Sequence, residues 1–220
     1  MRLFPPVSLF DGGAEMVYTG DRREAPDMKR VIITIGREYG SGGRLIAQRL
    51  ADQMGIRFYD KDLIQDVAKQ TGFSEEYIRE AEQKPTGSFL YDLYASIQPT
   101  SVPDQVFIAQ AKVIREVAER ESCVIVGRCA DYVLRERPDC LRVFVYAPLE
   151  ERIRRAKEEY GVQAPNLESF VIRQDKNRAS YYNYFATGRW GDRREYDLCV
   201  NSRIGIDNAA AVIQAAAQGV

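Results

Sequence analysis

The chain has 220 residues, of which 45% are hydrophobic, enough for one globular unit with a sizeable core. Its 31 basic and 32 acidic residues leave a net charge of -1, so no overall charge draws it toward nucleic acid or an anionic membrane. The sequence contains no histidine, which excludes imidazole acid–base catalysis, a Ser-His-Asp triad and histidine metal ligands.

The N-terminal segment has the features of a tail. Residues 1–27 show no sustained periodicity, and proline interrupts their apolar piece, which is too short for the hydrophobic region of a signal peptide. No stretch of the chain approaches the roughly 20 apolar residues of a membrane span. The cysteines show neither C-x-x-C pairs nor the density of a disulfide scaffold. We expect a disordered tail over 1–27, one folded domain over 28–220, no membrane partner and a reducing cytoplasm. The oligomeric state is left open.

In chain order, short apolar runs predict five strands, at 31–35, 57–59, 123–126, 141–146 and 196–200. Helical periodicity fills the intervals, at 44–54, 60–71, 74–83, 104–121, 148–160, 167–184 and 206–217. This alternation predicts a three-layer α/β/α fold with a five-stranded parallel sheet, in which strand 31–35 is central. Two segments fit the scheme less well: we expect a mobile insertion at about 84–103, rich in proline, and a helical lid at about 160–194.

A glycine-rich loop, Gly40-Ser41-Gly42-Gly43-Arg44, follows the first predicted strand and opens the first helix. This order is typical of a phosphate-binding P-loop, in which backbone N–H groups and the positive end of the helix surround phosphate oxygens. Because a Cβ at the tight part of such a loop would occupy the phosphate path, we expect Gly42→Val to abolish nucleotide binding and to leave the fold nearly intact.

The loop departs from the usual P-loop pattern at two positions. If Gly40 to Gly42 form its tight part, Gly43 stands where a P-loop has lysine, and Arg44 stands where a hydroxyl would hold Mg²⁺. The anion cradle is kept, whereas two of its functional side chains are replaced.

A second basic segment lies in the helix predicted at 167–184. Arg173 and Lys176 fall near one face, while Asp175 and Arg178 form an i, i+3 pair that could hold a guanidinium in place. Arginines near a glycine loop suit phosphoryl transfer, because negative charge spreads over the equatorial oxygens of the transferred group. The alternative is an ordinary solvated helix with salt bridges.

Five pieces of the sequence, in order, resemble the cytidylate kinase-like family of P-loop proteins. The resemblance extends over about residues 29–215, and its specificity comes from the agreement of separate motifs. The motifs are Gly36 to Arg44, Phe58 to Lys61, Val126 to Asp131, Arg173 to Arg178 and Tyr181 to Tyr184.

The resemblance implies a role for each matching position. Residues that match the glycine loop bind the phosphates of the donor nucleotide in cytidylate kinases, and here these are Gly36, Arg37 and Gly40 to Arg44. Residues that match Asp60, Arg128 and Asp131 face the acceptor nucleoside monophosphate. Arginines that match Arg173 and Arg178 close from the lid on the phosphoryl group, and Asp175 lies in the same lid segment.

Simpler interpretations remain open for several of these residues. Asp60 could cap the helix that follows it, and Arg128 could be a surface residue of a strand-to-helix turn, although strand ends in parallel sheets are where ligands bind. The tyrosines at 181, 182 and 184 are expected to pack the lid helix on the core rather than stack on a base. Trp190 could face a nucleotide or anchor a loop.

Two functions follow from the sequence. The first is a kinase that moves the γ-phosphoryl group of ATP, with Mg²⁺, to a nucleoside monophosphate or similar small acceptor. Arg44 or Arg37 would then supply the charge of the missing lysine, and Arg44, Arg173, Asp175 and Arg178 would be catalytic. The second is a nucleotide-binding regulatory module that has lost turnover. The lid arginines favour the kinase, and no residue selects one base over another.

Overall fold

The structure, a computed structural model, describes residues 30–60, 72, 74, 76 and 102–220. Its strands are β1 (Ile32–Arg37), β2 (Arg57–Tyr59), β3 (Cys123–Val126), β4 (Cys140–Tyr146) and β5 (Leu198–Asn201). They form one sheet in the order β2-β3-β1-β4-β5, and every neighbouring pair is parallel. The expected parallel sheet with a central first strand is therefore confirmed.

The helices of the described residues are α1 (Gly43–Met54), α2 (Val102–Arg120), α3 (Ala130–Val133), α4 (Leu149–Glu158), α5 (Leu167–Phe185) and α6 (Ile206–Ala217). Only α3, a single turn after β3, has no counterpart in the sequence prediction. Four residues give too little periodicity to detect, and the three residues before it adopt a left-handed backbone that sequence patterns do not reveal.

Alternation along β1 explains why both faces of the sheet are covered. Ile33 and Ile35 point to one face and pack in a cluster with Leu50 of α1 and Ile213 of α6. Ile32 points to the opposite face, into a cluster that includes Ile114 of α2. A strand that is apolar on both faces can only sit inside a sheet with helices on each side, which gives the three-layer architecture.

Several predictions concern residues outside the described part of the chain. These are the tail at 1–27, the helices at 60–71 and 74–83, and nearly all of the insertion at about 84–103. Among the helices that the structure describes, none is both long and apolar enough to span a bilayer.

Candidate phosphate-binding loop and cleft

The glycine loop lies at the carboxyl end of β1, between this strand and α1. Gly40 and Gly42 have φ values of 77° and 78°, in the left-handed region that favours glycine. The buried Ser41 hydroxyl donates to the Glu38 carbonyl over 2.9 Å and accepts from the Gly43 N–H over 3.4 Å. The loop therefore has the tight turn at Gly40-Ser41-Gly42 that the sequence predicts, directly before the N-terminus of a helix.

Two arginines of α4 support the loop from outside. Arg155 Nη1 donates to the Gly40 carbonyl over 2.7 Å, and Arg152 contacts the Tyr39 carbonyl over 3.4 Å. Both side chains are buried. Sequence reasoning missed them, although α4 follows the strand next to β1, so its first turns begin at the same sheet edge as the loop.

Arg152 also joins the loop to α5. Its guanidinium pairs with the Asp175 carboxylate and lies 3.4 Å from Glu38 Oε2. Asp175 Oδ1 in turn accepts from the Tyr39 N–H over 2.7 Å. Burial raises the pKa of Glu38 above its usual value, against the opposing effects of the Ala147 N–H and Arg152. Asp175, expected to pair with Arg178, instead has hydrogen bonds with Arg152 of α4 and with the backbone of Tyr39.

A cleft of about 270 Å³ lies beside this assembly, at the carboxyl ends of β1 and β3. Five of the residues assigned from the sequence line it: Gly36, Arg37, Arg128, Asp131 and Arg178. The rest of the lining comes from Gly127, Cys129, Gln174, Asn177, Tyr181, Tyr182, Trp190 and Tyr196. Gln174 and Asn177 share the α5 face of Arg178 and Tyr181 by helical spacing, and this spacing could have identified them from the sequence.

The cleft wall contains three guanidinium groups and one buried carboxyl group. Arg178 Nη1 donates to the Arg37 carbonyl over 3.0 Å, and burial lowers the pKa of Arg178. Asp131 is 5% exposed, and burial raises its pKa above the usual range. Interactions with the Tyr182 and Tyr196 hydroxyls act in the opposite direction, but burial outweighs them. A ligand in this cleft would meet positive charge and a buried carboxyl group next to two tyrosine hydroxyls.

Asp60 lies beside the cleft among cationic side chains. Arg44 Nε donates to Asp60 Oδ2 over 2.6 Å, and Arg128 Nη1 is 3.6 Å from Oδ1. Burial alone would raise the pKa of Asp60, but the Arg44 hydrogen bond and the charges of Arg128 and Arg37 outweigh it and hold the pKa below the usual value. The carboxylate of Asp60 therefore orients Arg44 and Arg128 in this structure.

The remaining residues of the predicted lid differ in position. Arg173 is exposed on α5, and its guanidinium lies 5.6 Å from the centre of the Phe170 ring. Tyr181 and Tyr182 are buried on Cys129 and Ala186, as expected for packing residues, whereas Tyr184 is 40% exposed. Trp190 both lines the cleft and makes an edge contact with Phe144, at 5.3 Å between ring centres.

A parallel sheet with a glycine loop after its central strand defines a P-loop kinase-like α/β protein. Solved structures agree with this class. A shikimate kinase from Acinetobacter baumannii superposes with a TM-score of 0.51 at 15% identity, covering 87% of this chain and 94% of that one. An uncharacterized protein from Eubacterium ventriosum reaches a TM-score of 0.67 at 30% identity, covering 87% of this chain and 100% of that one.

The model of the cytidylate kinase-like family matches residues 32–204, and the chain belongs to that family. Among curated proteins, the cytidylate kinase of Methanopyrus kandleri is 26% identical over 197 residues, which covers 84% of this chain and 92% of the relative. The family model's match over residues 32–204 includes the loop, the residues around the cleft and α5.

Proposed function

We propose that the protein is a kinase that transfers the γ-phosphoryl group of ATP to a nucleoside monophosphate or a similar small anionic acceptor. The observation that carries the proposal is the cleft lined by Arg37, Arg128 and Arg178 next to the glycine loop. Phosphoryl transfer needs positioning and positive charge around the transferred group more than covalent chemistry, and this arrangement supplies both.

In this proposal the donor and the acceptor occupy neighbouring places. The phosphates of ATP lie against the Gly40 to Gly43 backbone and at the N-terminus of α1. There they replace the Ser41 hydroxyl and the Glu38 carbonyl, which accept from the Gly43 and Ser41 N–H groups over 3.4 and 3.3 Å. The acceptor lies in the cleft, with its anionic group toward Arg128 and Arg178 and its other end toward Asp131. Asp60 acts by holding Arg128, and Asp175 acts by holding Arg152 and the backbone of Tyr39.

Mg²⁺ belongs to the proposal as the counter-ion of the ATP phosphates. Arg44 occupies the position of the usual P-loop hydroxyl, and the described residues contain no cluster of three or more acidic, cysteine or histidine side chains that could hold a metal. Mg²⁺ commonly keeps several water ligands and binds through substrate phosphates, so it would arrive with the nucleotide. We assign no side chain to it.

A regulatory nucleotide-binding module is the second candidate, and glycine at position 43 is the observation that favours it. The two candidates separate in a coupled nucleotide-consumption assay with ATP, Mg²⁺ and a panel of nucleoside monophosphates and small hydroxyl acceptors. The kinase predicts acceptor-dependent ADP formation, which Arg178→Gln should reduce about 100-fold or more. The exposed Arg154→Gln, on α4, serves as the matched control.

Tight ATP binding without ADP formation over the whole panel would contradict the kinase and leave the regulatory module. The same assay tests Arg44→Ala and Arg173→Ala. Arg44 is assigned to catalysis as a substitute for the missing lysine and Arg173 by the resemblance, and neither lines the cleft. A catalytic role requires each variant to lower turnover more than it weakens binding of the acceptor.

A further inference from the structure

The side chain of Arg37 begins in the space next to Gly43. A Cβ atom at Gly43 would lie 2.7 Å from Arg37 Cβ, 3.1 Å from Arg37 Cγ and 3.3 Å from Val145 Cβ, so Arg37 is its nearest neighbour. The position of Arg37 Cβ is set by the backbone of β1, so no change of rotamer relieves this contact. In this backbone, side chains at positions 37 and 43 exclude each other.

The far end of Arg37 reaches the end of β3. A Cβ atom at Gly127 would overlap Arg37 Nη1 and lie 3.0 Å from Cζ. Gly127 also has a φ of 73°, which favours glycine by itself. The Arg37 side chain thus runs from one glycine to another, and its guanidinium lines the cleft.

From these contacts we infer that Arg37 carries the positive charge that a lysine at position 43 supplies in an ordinary P-loop. In an ordinary P-loop the positive charge comes from the first turn of the helix, whereas here it comes from the end of β1. Position 43 is glycine because the Arg37 side chain occupies the space beside it. The inference rests on the proposed function in one respect, namely that phosphates bind at the glycine loop.

Arg44, the cation next to Gly43 in the sequence, fits this role less well. Its Nε atom is 2.6 Å from Asp60 Oδ2, and its side chain is 53% exposed. The Arg37 carbonyl instead accepts a hydrogen bond from Arg178 Nη1. The Arg37 side chain runs past Gly43 toward Gly127 and lines the cleft. A guanidinium also holds phosphate oxygens through two parallel hydrogen bonds, so it is a suitable replacement for an ammonium group.

Exchanging the cation between the two positions tests the inference. Arg37→Gly should weaken the binding of tripolyphosphate and ATP about tenfold or more, because one charge-assisted contact is lost. Gly43→Lys alone should lower the Tm, because the lysine meets Arg37 Cβ. The double variant Arg37→Gly with Gly43→Lys should recover both, with a Tm above that of Gly43→Lys and tripolyphosphate affinity above that of Arg37→Gly.

Arg44→Gly, alone and combined with Gly43→Lys, is the matched control. Alone it should weaken tripolyphosphate binding less than Arg37→Gly does, and combined it should not restore the Tm, because Arg37 still blocks position 43. Two results would overturn the inference. The first is a double variant whose loss of Tm equals the sum of the losses in Arg37→Gly and Gly43→Lys. The second is an Arg37→Gly variant that folds and binds tripolyphosphate as tightly as the wild type.

These readouts separate the inference from the proposed function. Tripolyphosphate titration and thermal melting need no acceptor and no turnover. Rescue in the double variant with no transfer to any acceptor would uphold the inference and contradict the kinase. If the wild type transfers phosphate and Arg37→Gly does so equally well, the kinase is upheld and the inference is overturned. If the wild type binds neither ATP nor tripolyphosphate, both are overturned.

Discussion

At the scale of single residues, the loop glycines are constrained by particular neighbours as well as by their backbone angles. Gly40 has a φ of 77°, and a Cβ atom there would overlap the Arg152 carbonyl group. Gly161, between α4 and α5, has a φ of 64° with nothing within 4 Å of a Cβ position. The two glycines share the left-handed backbone and differ only in the space around them.

Gly40→Ala should therefore destabilise the protein by about 3 kcal/mol, the sum of backbone strain and a contact with main-chain atoms that cannot move away. Gly161→Ala should cost only the strain, about 1 kcal/mol. Urea unfolding of both variants measures the difference. Equal losses would mean that α4 moves away from the loop readily, against the close packing described above.

Asp60 provides a second residue-level prediction, on pH. Its pKa is lower in the folded protein than in an unfolded chain, so its carboxylate stabilises the fold above the unfolded pKa of about 4. That stabilisation is lost as the pH falls through the lowered folded pKa. Asp60→Asn should lower the free energy of unfolding at pH 7. As the pH falls toward 3, this variant should lose less stability than the wild type does.

Denaturant unfolding between pH 7 and pH 3 measures this effect. Asp207→Asn is the control, since Asp207 is 71% exposed and its pair with Arg49 at 3.0 Å is a surface ion pair worth at most about 1 kcal/mol. An Asp60→Asn variant with the acid profile of the wild type would show that Arg44 and Arg128 do not stabilise the carboxylate.

At the scale of elements, α5 is attached to the segment before the glycine loop by charged groups. Asp175 pairs with Arg152 and accepts from the Tyr39 N–H, while Arg178 donates to the Arg37 carbonyl. The Tyr39 ring adds an edge contact with Phe170, at 5.5 Å between ring centres. The helix predicted as a lid therefore contacts the segment before the loop, and any opening of the lid would have to break these bonds.

Removing Asp175 takes one carboxylate from the buried Arg152 guanidinium and the acceptor from the Tyr39 N–H. Asp175→Ala should cost about 3 kcal/mol, because the Arg152 guanidinium, 9% exposed, loses a carboxylate. Glu158→Ala removes an exposed partner of Arg154 and should cost less than about 1 kcal/mol. Chemical denaturation compares the two. A loss for Asp175→Ala as small as that for Glu158→Ala would contradict the attachment.

At the scale of the whole molecule, the sheet and its helices follow from patterns that are local in sequence. Cys123 to Val126 are apolar on every residue, and Val31 to Ile35 are apolar except at the buried Thr34; such runs indicate central parallel strands before any contact is known. The loop could be located for the same reason, since Gly40 and Gly42 adopt the left-handed angles that their spacing indicates.

The contacts around the loop could not be predicted in that way. Arg152 meets Asp175 and Arg155 meets Gly40 because α4 and α5 fold back on the loop, and single-sequence patterns do not encode distances between elements. For the same reason, the sequence could not show that Gly42→Val would affect the fold. The Cβ would lie 2.7 Å from Ile206 Cδ1 in α6, so we now expect this variant to lose stability as well as nucleotide binding.

Positive and negative charges nearly balance over the whole chain, but positive charge is concentrated around the cleft. With a net charge of -1, the chain still places Arg37, Arg128 and Arg178 around one cleft. Three guanidinium groups in one site repel each other, so a small dianion that binds there stabilises the folded state by mass action. Sulfate at about 100 times its dissociation constant should add about 2.7 kcal/mol, a rise in Tm of about 5 to 10 °C.

Thermal melting in sodium sulfate and in sodium chloride at equal ionic strength measures this effect, because general screening is then the same in both salts. Arg128→Gln should lose most of the difference between the salts, while Arg115→Gln, on the exposed face of α2, should keep it. If sulfate and chloride raise the Tm equally in the wild type, or if both variants keep the difference, the cleft is not the anion site. The arginines would then serve the fold through their bonds to the Val126 and Arg37 carbonyls and to Asp60.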